Sequence, residues 1–218
     1  MAEVRARLRS AGPQRGSTLV EMLVAMSIFS LAMTLVFGAV ITVMRKSSDV
    51  QKSADASSAL RISLERIDRQ VRSGNVLYSP AGETSPGCTG DAANKSGTCM
   101  RVFTQANGPE RCVQWQVMAD PASPGTNLLQ TRSWSPDWAT SGDHTPWATI
   151  TRGLAIMPAG SYPFTLRSES IYGARLLDVT LAAYDARRKT SVVITSSMSG
   201  RNTTYGYSGL QCASLPLN

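Results

Sequence analysis

Histidine occurs once in the 218 residues, at His144, and no two cysteines stand in a Cys-x-x-Cys pair. Zinc-binding spacing is therefore absent. The carboxylates do not replace it, because Asp120, Asp137 and Asp143 lack the spacing of a calcium loop. His144 lies in Ser141-Gly142-Asp143-His144-Thr145-Pro146, a turn-like setting that suits a solvent-exposed ring. No nucleophile, base and orienting group form a set, so the residues point to no enzyme, no metal and no cofactor. Proline is missing from residues 19–44, and formal charge is missing from Met22 to Met44. Gly38 is the one glycine inside that stretch.

What is present is ordinary for a globular chain: 42% apolar and 17% charged residues exclude wholesale disorder. Net charge is +7, but without the four arginines and one glutamate of residues 1–16 it falls to +4. That residual gives weak support to a nucleic-acid partner. The uncharged 23 residues from Met22 to Met44, closed by Arg45 and Lys46, would span about 34 Å as a helix, enough to cross the hydrocarbon core. The arginines before the run favour a cytoplasmic N-terminus, weakly opposed by Arg45 and Lys46. Everything beyond residue 46 would then be extracytoplasmic. Cys88, Cys99, Cys112 and Cys212 fit that compartment as two disulfides. Three pairings are possible and sequence alone does not choose. The expected pairing is Cys88 with Cys99, closing a Gly/Ser/Thr-rich loop, and Cys112 with Cys212, tying down the tail.

Two simpler readings compete. A secretory signal peptide has a shorter apolar core, and the small-x-small triplet Ala54-Asp55-Ala56 lies well beyond this one. A plain single-pass anchor accounts for everything except Glu21. A carboxylate in hydrocarbon costs roughly 2.5–3.5 kcal/mol on insertion scales, and such residues tend to be functional and paired.

The stretch "RGSTLVEMLVAM", Arg15 to Met26, resembles the N-terminal signature of type IV pilins and type II secretion pseudopilins. Gly16 matches the last leader residue, and Thr18, Leu19 and Glu21 match the positions that follow. Ser17 stands where the family usually has phenylalanine. The resemblance implies cleavage by a prepilin peptidase between Gly16 and Ser17, with methylation of the Ser17 amine. It also implies assembly through Thr18, Leu19 and Glu21, the Glu21 carboxylate pairing with a neighbouring subunit's N-terminal amine. Its partners would be membrane lipid before assembly and other major or minor pilins or pseudopilins afterwards. The segment "LRISLERIDRQVRSG", Leu60 to Gly74, resembles the second helical stretch of J-type minor pseudopilins and minor pilins. That implies a structural minor subunit of a type IV pilus-like or type II secretion filament, in a tip or priming complex, reached from the cytoplasmic membrane.

Two alternatives stay open: a competence-type pilin whose head binds DNA through Arg187, Arg188 and Lys189, and a membrane-anchored extracytoplasmic enzyme or binding protein outside any filament.

The rest of the chain reads as α+β, a long N-terminal helix packed on an antiparallel sheet. The division is a leader at 1–16, a transmembrane helix at 17–46, an amphipathic continuation at 47–74 and a β-rich head at 75–218. Positions 50, 57, 64 and 71 recur at seven-residue spacing, apolar except for Ser57, with Leu60 and Ile67 between. Packing on the chain's own sheet is expected for that stripe. Glu65 with Arg69 and Asp68 with Arg72 are spaced for helical ion pairs, and Gly74 is a natural stop. The predicted helix runs from Thr18 to Ser73, 56 residues. Residues 75–98 read as loop. Strands are expected at 100–105, 113–118, 127–134, within 148–157, at 162–167, and as a hairpin of 174–184 with 190–199. Residues 135–148 read as loop, in which Trp134, Trp138 and Trp147 form either a local cap on the sheet or a contact surface for another subunit.

Overall fold

A computed structural model describes residues 18–106, 108–167, 175–185, 190–201 and 210–216. The chain divides into two compact units, Met1–Lys52 and Ser53–Asn218. One helix, α1 (Leu19–Arg72), runs through both. Its 54 residues contain no proline, and Gly38 sits within it without a break.

In the first unit every large apolar side chain from Leu19 to Met44 is exposed. The polar side chains among them turn inward to the helix itself. Ser27, Ser30, Thr34 and Thr42 each donate a hydroxyl hydrogen bond to the carbonyl four residues back, on Leu23, Met26, Ser30 and Gly38. No hydroxyl proton in that group needs water, and the backbone groups are met within the helix.

In the second unit α1 buries one face. Leu60, Leu64, Ile67 and Val71 are buried, with Ser63 alongside. Their spacing is the 3.6-residue period of a straight helix. Val50 is 61% exposed, so the seven-residue repeat counted from it is not one buried stripe. A straight helix drifts about 20° per heptad, and the packed face accordingly begins only at the partly buried Ala56. Asp68 and Arg72 pair at 2.6 Å; Glu65 and Arg69 form no ion pair.

The helix stops where Gly74 opens β1 (Gly74–Leu77). A Cβ at Gly74 would lie 2.5 Å from Val102 Cγ2, so glycine is required by the close approach of β4 (Cys99–Thr104). The remaining strands are β2 (Gly90–Asp91), β3 (Ser96–Gly97), β5 (Arg111–Ala119), β6 (Asn127–Trp134), β7 (Ala148–Leu154), β8 (Phe164–Arg167), β9 (Leu176–Asp185) and β10 (Thr190–Ser199). They form one curled sheet in the order β1-β4-β5-β6-β7-β9-β8-β3-β2, with β10 on β9. Every pairing is antiparallel.

Residues 75–98 are therefore not all loop. They hold β1, a 3-10 turn at Pro80–Gly82, β2 and β3. These strands are two to four residues long, too short to show a period; β1 and β3 are placed by the distant β4 and β8, and β2 only pairs locally with β3. Similarly, 135–148 contains a four-residue helix, α2 (Trp138–Ser141), closed by Gly142 at φ 71°.

Both faces of the sheet are covered. On β5, Val113, Trp115 and Val117 join the core shared with α1. Cys112 belongs to a second cluster with Val76, Phe103, Trp134 and Cys212. Gln114 and Gln116, which point the same way as Cys112, are also buried.

Candidate functional site

The first turn of α1 is set by a threonine and a glutamate three residues apart. Thr18 immediately precedes the helix, and its Oγ1 accepts a hydrogen bond from the Glu21 N–H at 3.3 Å. Its carbonyl accepts the first helical bond, from Met22 N–H, at 3.2 Å. Thr18 is thus the N-cap and Glu21 the third helical residue, the spacing of a capping box. Glu21 is the acidic residue of the first turn, where its charge complements the helix dipole. The sequence carries this signal as Thr-x-x-Glu ahead of an apolar run, so Thr18 caps the helix in addition to the assembly role that the resemblance implies. Leu19 is 78% exposed and begins the apolar surface. Gly16 and Ser17, where cleavage and methylation are expected, lie outside the described residues.

The helix is long and apolar enough to cross a membrane. Among the described residues of its own unit nothing covers the apolar surface from Leu19 to Met44, so that surface is available to lipid or to other helices.

In the second unit two disulfides join Cys88 to Cys99 and Cys112 to Cys212, the pairing expected above. The second fixes residues 210–216 across the face of the sheet opposite α1. Other bonds hold the same tail. Arg101 Nη1 donates to the Cys212 carbonyl. Arg132 Nη1 donates to the Pro216 carbonyl at 2.9 Å, and Trp138 Nε1 to the Ser214 carbonyl at 3.1 Å.

Beneath the tail is a buried polar group. Gln114 Nε2 donates to Glu83 Oε2 at 2.7 Å, and Arg132 Nε donates to Gln114 Oε1 at 2.9 Å. Arg101 Nε lies 3.1 Å from Glu83 Oε1, an ion-pair contact without hydrogen-bond alignment. Burial pushes the Glu83 carboxyl above its ordinary value, against the pull of Arg101 and Gln114. Burial likewise lowers the Arg132 guanidinium. These groups fill the interior between sheet and tail and tie the two together.

The three tryptophans pack on their own chain. Trp134 is fully buried in the second cluster, Trp138 is tied to the tail, and the Arg132 guanidinium lies 4.5 Å from the Trp147 ring centroid. His144 is exposed, edge-on to Trp138 at 5.8 Å. Arg187, Arg188 and Lys189 lie outside the described residues.

A family model, the prokaryotic N-terminal methylation motif, matches residues 12–37. It covers the expected cleavage point, the capped first turn and much of the apolar run. No curated protein and no solved structure matches the chain. The motif supports a type IV pilin-like or pseudopilin role, a structural one in kind. With the apolar helix it suggests membrane anchoring before assembly.

Proposed function

We propose that this chain is a minor pilin or pseudopilin, made with a leader of residues 1–16 and cut by a prepilin peptidase between Gly16 and Ser17. The observation that carries the reading is the capped first turn. It holds a lone carboxylate, Glu21, at the head of a helix whose apolar surface has no partner among the described residues of its own unit. The methylation motif spans the same residues.

Cleavage frees the Ser17 amine four residues before Glu21. In the cytoplasmic membrane, with the N-terminus cytoplasmic and the head outside, the helix is solvated by lipid. On assembly it exchanges lipid for the helices of other pilins. An unpaired carboxylate inside such a bundle costs several kcal/mol, whereas a well-placed amine of a neighbouring subunit largely offsets that cost. Glu21 therefore selects helix register more than it adds stability. Within this class, the segment Leu60 to Gly74 supports a J-type subunit of a tip or priming complex, in a type IV pilus-like or type II secretion filament.

The test is the N-terminal mass of the protein isolated from its own membrane. The expected chain starts at Ser17 and carries one methyl on its amine. A bulky replacement of Gly16 leaves the leader attached. A chain starting at Met1 or Ala2 would make the protein a simple anchor, and one starting near Ser57 a secreted protein.

A further inference from the structure

The second unit contains a cleft of about 490 Å³ between the outer flank of α1 and the face of β5 and β6. Its size falls within the few hundred to a thousand Å³ typical of ligand sites. Arg66 and Arg69 line the helix side, and Arg111 lines the opposite side. Arg111 is already paired, 2.8 Å from Asp143. Arg66 and Arg69 have no acidic partner within 4.0 Å among the described residues, so the cleft is left with two uncompensated guanidinium groups on one wall. Its floor is apolar, with Val113, Trp115 and the half-buried Ile150. Thr131, Ser133 and Thr145 add neutral hydroxyls at the far wall.

We infer that this cleft binds an acidic peptide segment of a partner protein, its carboxylates on Arg66 and Arg69. Guanidinium groups match carboxylates in geometry and charge. Thr131 and Thr145 already donate their hydroxyl protons to the Gln114 and Ser133 carbonyls, so toward a peptide backbone they act as acceptors, and the floor accepts an apolar side chain. A single-stranded nucleic acid fits less well, because it needs exposed aromatic rings for its bases. The one aromatic in the cleft, Trp115, is 1% exposed and its N–H is bound to Gln70 Oε1 at 2.6 Å. The inference does not depend on assembly into a filament, since every residue of the cleft lies in the second unit.

The test uses the full chain in detergent and labelled hexaglutamate as probe, with hexaglutamine and an oligothymidylate for comparison. Hexaglutamate is expected to bind, to weaken as salt rises, and to bind about tenfold less tightly to the Arg66→Gln/Arg69→Gln double variant. Both positions are exposed, so the variant should keep its unfolding midpoint, which is measured alongside. The inference is overturned if hexaglutamate does not bind, if hexaglutamine binds equally, or if the double variant binds unchanged. Oligothymidylate binding that the double variant loses, tighter than that of the peptide, would give the cleft to nucleic acid instead.

Discussion

Residues 19–44 and 60–72 belong to one helix, yet they solve opposite problems. In the first stretch every large apolar side chain is exposed, whereas in the second Leu60, Leu64, Ile67 and Val71 are buried against the sheet. Burying one such side chain contributes about 1.5–3 kcal/mol. The second stretch obtains this within its own chain. The first does not, and its serine and threonine hydroxyls are bonded to its own backbone. An apolar outer surface with internally satisfied polar groups suits lipid or a helical bundle. The difference teaches that helix formation and helix solvation are separate matters here, decided by side chains rather than by the backbone.

The most forceful way to break the comparison is to unfold one region and watch the other. Cys112 and Cys212 close a loop of sequence separation 100. On the chain-entropy account such a link contributes about 4–5 kcal/mol. Replacing both with serine should therefore lower the stability of the sheet unit by roughly that amount, read by denaturant titration of intrinsic tryptophan fluorescence. All four tryptophans, at 115, 134, 138 and 147, lie in that unit, so the signal reports it alone. The helical circular dichroism of residues 19–44 in detergent should persist. Loss of both signals together would mean that the first stretch depends on the second.

A pair of truncations sharpens the same point. Ile67 is 0% exposed and Leu35 is 70% exposed. Ile67→Ala should cost about 2–5 kcal/mol of fluorescence-detected stability, through lost burial and the cavity left behind. Leu35→Ala should fall within about 0.5 kcal/mol by the same measurement. Similar losses from both would show that Leu35 has a packing partner in its own chain.

These contrasts also show how much the sequence made legible. The apolar run, the order of helix then strands, and the face from Leu60 to Val71 could be read because each is a long pattern with one period. β5 misleads. Val113-Gln114-Trp115-Gln116-Val117 alternates like a strand with one wet face, but Gln114 and Gln116 are buried. The residues that cover them, at 83–86 and 212–216, are remote in sequence and carry no period of their own. The same non-local cover explains Trp134, for whose tryptophan-rich stretch the sequence left open a local cap or a contact surface; the buried ring fits the cap. At the N-terminus the opposite holds. Thr-x-x-Glu is a local signal, and the capping role of Thr18 could have been read from four residues.

The buried Glu83 gives the sheet unit a pH dependence of its own. Its folded carboxyl is raised above the ordinary value of 4.5, with burial as the main cause. The folded state therefore holds this proton to higher pH than the unfolded state. The stability it contributes is fully present below about pH 4.5 and is lost as pH rises through the raised value. Asp120 acts lower and in the other sense. Burial pushes its carboxyl up, but the Ala122 N–H and the Arg152 guanidinium outweigh that and hold it below 3.8. Glu83→Gln keeps the shape and can still bond Gln114. It should flatten the decline in unfolding midpoint just above pH 4.5, and an unchanged slope would assign the decline to another group.

The smallest effect tests the first turn. Thr18→Ala removes the acceptor for the Glu21 N–H, and loss of such a cap costs about 0.5–2 kcal/mol. The cost is local, so the fluorescence midpoint of the sheet unit should not move. Amide exchange at Glu21 should quicken in detergent, because a frayed first turn leaves that N–H without its partner. Thr18→Ser, which keeps the hydroxyl, should restore protection. If Thr18→Ala exchanges no faster than the unaltered chain, the threonine does not cap the helix, and its place in the motif must come from contacts made only after assembly. If exchange quickens and filament incorporation falls with it, the threonine acts by holding Glu21 in position. The register role proposed for Glu21 would then depend on the hydroxyl three residues before it.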